Sequence, residues 1–306
     1  MKIGKTSITN RILWIVPVTI LLYVFLVGIL QLSFEAYGIK ALHLTGDLQF
    51  VFSAYTVTLA AVVVLLLLCL TKKNRSILRS FLPTRENHDW KLLLWGCLLG
   101  FGTNLFCALC ALLHGDIALT FYFPLQKLPV LLFALISVFI QSSSEEMWCR
   151  GFMQQRINVH YPLWVAAVVN GLVFGGMHLF NQGASVLSVS ATCLVGIGYS
   201  LLCWYSGSIW TCFGAHTLWN FTQNFLLGLP NSSLVSPLSL FHLVPGSQNT
   251  LFYDTTYGVE ATLQSLIVHG LLMTGGVLFL AHRSGRLGEL MMSQERQVEA
   301  AEQTAQ

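Results

Sequence analysis

The sequence predicts an all-α, polytopic membrane helix bundle of about eight transmembrane helices, and three observations predict it. Of the 306 residues, 55% are hydrophobic and only 9% charged, against roughly 25% charged in a soluble domain. Apolar stretches of span length recur along nearly the whole chain and leave no polar block large enough for a soluble unit. Lys and Arg fall unevenly on the two sides of those stretches.

Crossing a hydrocarbon core of roughly 30 Å takes about 20 mostly apolar residues. The first two stretches that meet this are 12–32 and 50–70. Lys2, Lys5 and Arg11 precede the first, which is too long for a signal-peptide core and lacks an A-x-A site, so it reads as an uncleaved span. The third, 92–113, follows a polar loop carrying Lys72, Lys73, Arg75, Arg79 and Arg85. The fourth, 128–144, continues in a helix-compatible pattern through Glu145, Glu146 and Arg150 towards Arg156, as one long helix leaving the membrane would. Four more follow at 163–180, 186–205, 209–229 and 262–282. Residues 1–283 thus read as a single transmembrane domain, and 284–306 as a polar cytoplasmic tail without order.

Eight crossings put both termini on one side. With that side cytoplasmic, 14 of the 16 Lys and Arg lie inside and only Lys40 and Lys127 outside, the bias that orients multi-pass proteins. The expected location is a cell membrane, with lipid as the surrounding partner. A net charge of +3, with basic residues beside apolar segments rather than among aromatics, gives nucleic-acid binding no support. All eight cysteines fall in or against apolar segments, so Cys107-x-x-Cys110 reads as packing rather than as a redox pair.

Ionisable groups inside a span are costly, and their default reading is functional or paired. Glu145, Glu146 and Arg150 lie at the end of the fourth span, where Arg150 shares a helix face with Glu146 four residues earlier. Phe174 and His178 are four apart on the fifth, among Gly171, Gly175 and Gly176, and His216 and Asn220 are four apart on the seventh. Each pair has a bland reading: a juxtamembrane ion pair, a structural His, an interhelical hydrogen bond. A carboxylate, two imidazoles and an amide on three apolar helices are harder to explain as independent packing groups.

These positions spell EExxxR (Glu145 to Arg150), FxxxH (Phe174 to His178) and HxxxN (His216 to Asn220), in that order and each in an apolar span. In this the sequence resembles the CAAX protease and bacteriocin-processing family of intramembrane endopeptidases, also called Abi proteins, with a family core at about 125–230. Short loops and the lack of extra domains resemble a bacterial member. The resemblance implies a peptide or protein substrate hydrolysed within the membrane. In that scheme Glu145 is the general base for a water that His178 positions, His216 and Asn220 donate to the oxyanion, and Arg150 holds Glu146 charged and oriented. A divalent metal such as zinc stays open as cofactor, with Glu145, His178 and His216 as its ligands, although the helical HExxH of many zinc proteases is absent and Asn is a poor zinc ligand. Two other readings remain: an inactive scaffold or bacteriocin-immunity protein holding a peptide or partner in the same cavity, and a transporter. Repeated halves with broken helices, which the latter predicts, are not seen.

Overall fold

The computed structural model describes residues 11–72, 74–85, 88–244, 248–297 and 299. Lys2, Lys5 and Lys73 of the expected cytoplasmic set lie outside these, as do residue 298 and the last residues of the tail.

Among the described residues, seven helices are long and apolar enough to cross a membrane. We label the helices α1 (Ile12–Leu42), α2 (Gly46–Cys69), the short α3 (Arg75–Phe81), α4 (Asp89–His114), α5 (Leu125–His160), α6 (Leu163–Phe180), α7 (Val186–Ser206), α8 (Trp210–Phe221, continued by a π-helical stretch Thr222–Leu226) and α9 (Leu263–Arg283). The expected seventh span, 209–229, is α8, and it falls short of the length of a membrane-crossing helix. The reason lies in its surroundings: 10 of the 12 residues of Trp210–Phe221 are buried. A helix wrapped by its neighbours need not match the lipid thickness.

The outer helices carry the opposite signature. Large apolar side chains such as Leu13, Leu32, Leu67, Leu98, Leu113, Phe180 and Leu271 are exposed, as a lipid-facing surface requires. Lipid gives apolar helices little reason to adhere to one another, so close backbone approach and polar contacts must hold the bundle. Gly100 supplies the first between α4 and α8, where a Cβ would collide with the carbonyl oxygen of Ala215. Gly171 does so between α6 and α7, where a Cβ would lie 2.7 Å from the Cys193 carbonyl oxygen. Polar contacts tie α5 in place. The Trp148 indole donates to the Ala61 carbonyl (3.0 Å), Asn170 to the Cys149 carbonyl (2.7 Å), and Arg156 to Asn74 (2.8 Å).

At α5 the sequence reading and the structure coincide: one continuous helix of 36 residues runs from Leu125 to His160. At 1.5 Å per residue this spans about 54 Å, well beyond a hydrocarbon core. The segment after α8 folds over one end of the bundle. Its strand β2 (Phe241–Leu243) pairs antiparallel with β1 (Leu119–Phe121). Leu229, Tyr253 and Val259 pack with Cys107, Ala108 and Trp219, and Gln223 links Asn104 of α4 (2.8 Å) to the Tyr257 carbonyl (3.0 Å).

The tail departs from expectation. Residues Leu287–Met291 form a 3-10 turn in which Glu289 pairs with Arg286 (2.8 Å) and accepts from the Trp204 indole (2.7 Å). Arg286 also donates to the Tyr205 carbonyl at 2.9 Å, and Glu295 meets His160 at 3.3 Å. This part of the tail is therefore held on the ends of α5 and α7 rather than disordered, because its few charges find partners there.

Candidate active site

A cavity of about 1040 Å³ opens among α1, α5, α6, α7, α8 and the loop after α8, and Glu145, His178, His216 and Asn220 all line it. The other two residues expected at the site, Glu146 and Arg150, lie behind it and are fully buried.

Behind the cavity the chemistry is that of a compensated buried ion pair. Arg150 donates through Nη1 to Glu146 Oε1 (3.1 Å) and through Nη2 to the Gly196 carbonyl (3.1 Å), with its guanidinium 4.4 Å above the Phe174 ring. Paired charges at 0% exposure depend on partners for their remaining valences; here a backbone carbonyl and an aromatic face supply some of them, while Glu146 Oε2 and Arg150 Nε have no hydrogen-bond partner. Glu146 Oε1 has a second neighbour, His216 Nδ1 at 2.9 Å. With a carboxylate as acceptor, Nδ1 carries the proton, and Nε2 is left to face Glu145.

Glu145 sits on a different side of the helix from Glu146. Its Oε1 accepts from Gln141 Nε2 (2.6 Å), while Oε2 accepts no hydrogen bond within the protein and stands 3.9 Å from His216 Nε2. Immediately after these two glutamates α5 widens into a π-helical stretch, Met147–Gln154, which carries Arg150. Such stretches recur at functional sites. A second one begins at Thr222, two residues past Asn220.

His178 ends the regular part of α6 at the start of a 3-10 turn, and its Nδ1 bonds the Phe174 carbonyl at 2.8 Å. That bond fixes Nδ1 as the protonated nitrogen and leaves Nε2 as an acceptor. The Phe174 ring lies 4.9 Å from the His178 ring and 6.1 Å, edge to face, from the His216 ring. It touches both imidazoles and covers Arg150 at once, which gives the first position of FxxxH a physical role.

Asn220 is 8% exposed; its Nδ2 donates to Gln141 Oε1 (3.3 Å), and its Oδ1 accepts from Asn231 Nδ2 (3.3 Å). Gln141 thus bridges Glu145 and Asn220. Neither it nor Asn231 was singled out from the sequence. Glu260, in the loop after α8, was not singled out either, yet it lines the same cavity and accepts from Asn231 at 3.2 Å. One signal was available for Gln141: it is a polar residue inside an apolar span, four before Glu145 and so on its face.

Among the described residues no three of His, Cys, Asp and Glu converge as a ligand group, so Glu145, His178 and His216 are not drawn together as one.

Comparison with known proteins agrees with the motifs. Residues 127–222, about a third of the chain, match the family described as type II CAAX prenyl endopeptidase, Rce1-like. That segment contains Glu145, Glu146, Arg150, Phe174, His178, His216 and Asn220, so the similarity covers every motif position. No curated protein and no solved structure matches the chain.

Proposed function

We propose that this protein is an intramembrane endopeptidase that hydrolyses a peptide bond with a water activated by Glu145. The observation that carries the reading is the meeting of Glu145, His178, His216 and Asn220, from three separate helices, on one cavity.

In this mechanism Glu145 Oε2, free of protein hydrogen bonds, takes a proton from the attacking water while Oε1 is steadied by Gln141. His178, whose Nε2 is an acceptor, orients that water. As the water oxygen bonds to the scissile carbon, the carbonyl becomes an oxyanion. The Asn220 amide donates to it, and His216, held at Nδ1 by Glu146 Oε1, is the second candidate donor through Nε2. Fixed donors in a cavity poor in water act more strongly than they would in solvent. Collapse of the tetrahedral intermediate then breaks the C–N bond, and the proton held by Glu145 passes to the leaving amine. The Arg150–Glu146 pair holds the Glu146 carboxyl in place against His216 Nδ1.

The asymmetry of Lys and Arg supports cytoplasmic termini, with the loop after α8 facing outward. Leader peptides, bacteriocin precursors or signal-peptide remnants are the proposed substrate class. The test is peptidomics of cells carrying wild-type protein against cells carrying Glu145→Gln. Peptides cleaved only with the wild type are expected, and identical peptidomes would remove the assignment. The same cleavage assayed on purified protein, with and without a chelator and alongside its metal content, decides whether a divalent ion is needed.

A further inference from the structure

The cavity has a second carboxylate besides Glu145, and it belongs to none of the three motifs. Glu260 lies in the loop between α8 and α9, and a chain of hydrogen bonds runs from it to the proposed base. Asn231 Nδ2 donates to Glu260 Oε2 (3.2 Å) and to Asn220 Oδ1 (3.3 Å). Asn220 Nδ2 donates to Gln141 Oε1 (3.3 Å), and Gln141 Nε2 to Glu145 Oε1 (2.6 Å).

The order of donors along this chain is forced. An ionised carboxylate only accepts, so Glu145 at one end requires the amino side of Gln141, whose carbonyl must then face Asn220. Asn231, whose Nδ2 reaches both Asn220 Oδ1 and Glu260 Oε2, must turn its amino side the same way, and it donates to Glu260 once that carboxyl is ionised. Asn220, between them, can only present its amino group to Gln141 and its carbonyl to Asn231. A flipped Asn220 would set oxygen against oxygen on one side and N–H against N–H on the other. Its second amide hydrogen is the one left for a ligand in the cavity. Gln141 alone is a weaker guide, because its carbonyl also accepts from Ser142 Oγ at 3.2 Å.

Glu260 is itself built in. Its Oε1 accepts the backbone N–H of Ser232, in a turn where Ser232 (φ 46°) and Ser233 (φ 74°) both hold left-handed conformations. Side-chain-bearing residues adopt that region only when their surroundings hold them there; here the paired backbones of Asn231 and Leu234 (2.9 and 2.8 Å), the Ser233 hydroxyl on the Gln182 carbonyl and the Glu260 carboxylate do so together.

We propose that Glu260 is a positioning residue which, through Asn231, fixes the Asn220 amide with its amino group towards the cavity. The loop after α8 then sets the oxyanion donor together with the helices. This rests on the endopeptidase reading above and extends it to residues outside the matched segment.

The experiment uses full-length protein in membranes and a peptide whose cleavage separates wild-type cells from Glu145→Gln cells. Asn231→Asp keeps the shape of the side chain but presents an acceptor to the Asn220 carbonyl. It is expected to lower kcat at least about tenfold, against the 100- to 1,000-fold typical of losing an oxyanion donor outright, with KM within about twofold. Glu260→Ala should do the same, and Glu260→Gln, which retains an oxygen for Asn231, should recover part of the loss. Unchanged kcat in Asn231→Asp and Glu260→Ala, with Glu145→Gln inactive, overturns the positioning role alone. So does a loss in which kcat, KM and melting temperature move together, with no recovery in Glu260→Gln. If no peptide depends on Glu145, the endopeptidase reading falls and this inference falls with it.

Discussion

The imidazole of His216 is anchored at Nδ1 by Glu146, 2.9 Å away, and faces Glu145 across 3.9 Å from Nε2. Two adjacent glutamates thus meet one histidine from opposite sides, and their surroundings give them different work. Glu146 is fully buried and paired with Arg150, whereas Glu145 lines the cavity and has no cationic partner of that kind. Glu145→Gln should therefore lower cleavage at least about 100-fold, the low end for losing a general base, and leave the melting temperature near wild type. Glu146→Ala strands a buried guanidinium and should destabilise the fold by about 3–5 kcal/mol. Thermal unfolding of both variants beside their activity checks the split, and equal stability losses would contradict it.

Phe174 should be nearly as sensitive as the polar residues, because its ring touches His178, His216 and the Arg150 guanidinium together. Phe174→Ala removes that ring. We expect a destabilisation of about 3–5 kcal/mol, usual for a buried Phe, and a fall in kcat beyond what the folded fraction explains. Phe174→Leu, which fills the space without an aromatic face, should restore part of the stability and less of the activity. Activity per folded molecule, from cleavage assays normalised to a thermal or protease-protection measure of folding, reads the difference.

How much of this was open to the sequence follows from the range of each interaction. The long α5 and the pairing of Arg150 with Glu146 depend on apolar runs and on i,i+4 spacing, both of which are local. The burial of α8, and hence its shortness, depends on which helices surround it, and composition alone makes 209–229 look like any other span. His178 raised the opposite problem. A uniform 1.5 Å rise carries it roughly 24 Å from Pro162, against roughly 16 Å for Glu145 from Arg156 and roughly 18 Å for Asn220 from Ser208, yet all three line one cavity. Asn231 and Glu260 stayed hidden because they act through partners 11 and 29 residues away in sequence, across a loop with no periodic pattern.

The α4–α8 contact sets where His216 and Asn220 stand, so a substitution far from the chemistry should reach it. A Cβ at Gly100 would meet the carbonyl oxygen of Ala215, the residue before His216, and backbone cannot step aside as a side chain can. Gly100→Ala is expected to destabilise by about 1–3 kcal/mol, the usual penalty for overpacking, and to reduce cleavage more than that loss of folded protein accounts for. Gly102, where an added Cβ meets nothing within 4 Å, is the control: Gly102→Ala should be neutral in both assays. Neutral behaviour of Gly100→Ala would mean that α8 is not seated by this contact.

Glu260 makes the stability of the protein depend on pH with a definite sign. Burial pushes its carboxyl up to about 7, against the pull of hydrogen bonds from Ser232 and the Trp219 indole and of the nearby His216. In the unfolded chain the same group titrates near 4.3. Between those values the folded state holds a proton that the unfolded state has released, so this group's contribution to stability falls as pH rises through the window and levels off above about 7. Glu260→Gln cannot titrate. The melting temperature of Glu260→Gln minus that of wild type, measured in detergent, should therefore rise steadily from about pH 5 to about pH 7.5, whatever constant offset the substitution adds. A difference that stays flat, or falls, across that range would show that Glu260 is already ionised at the lower pH and that its surroundings favour the anion more than burial opposes it.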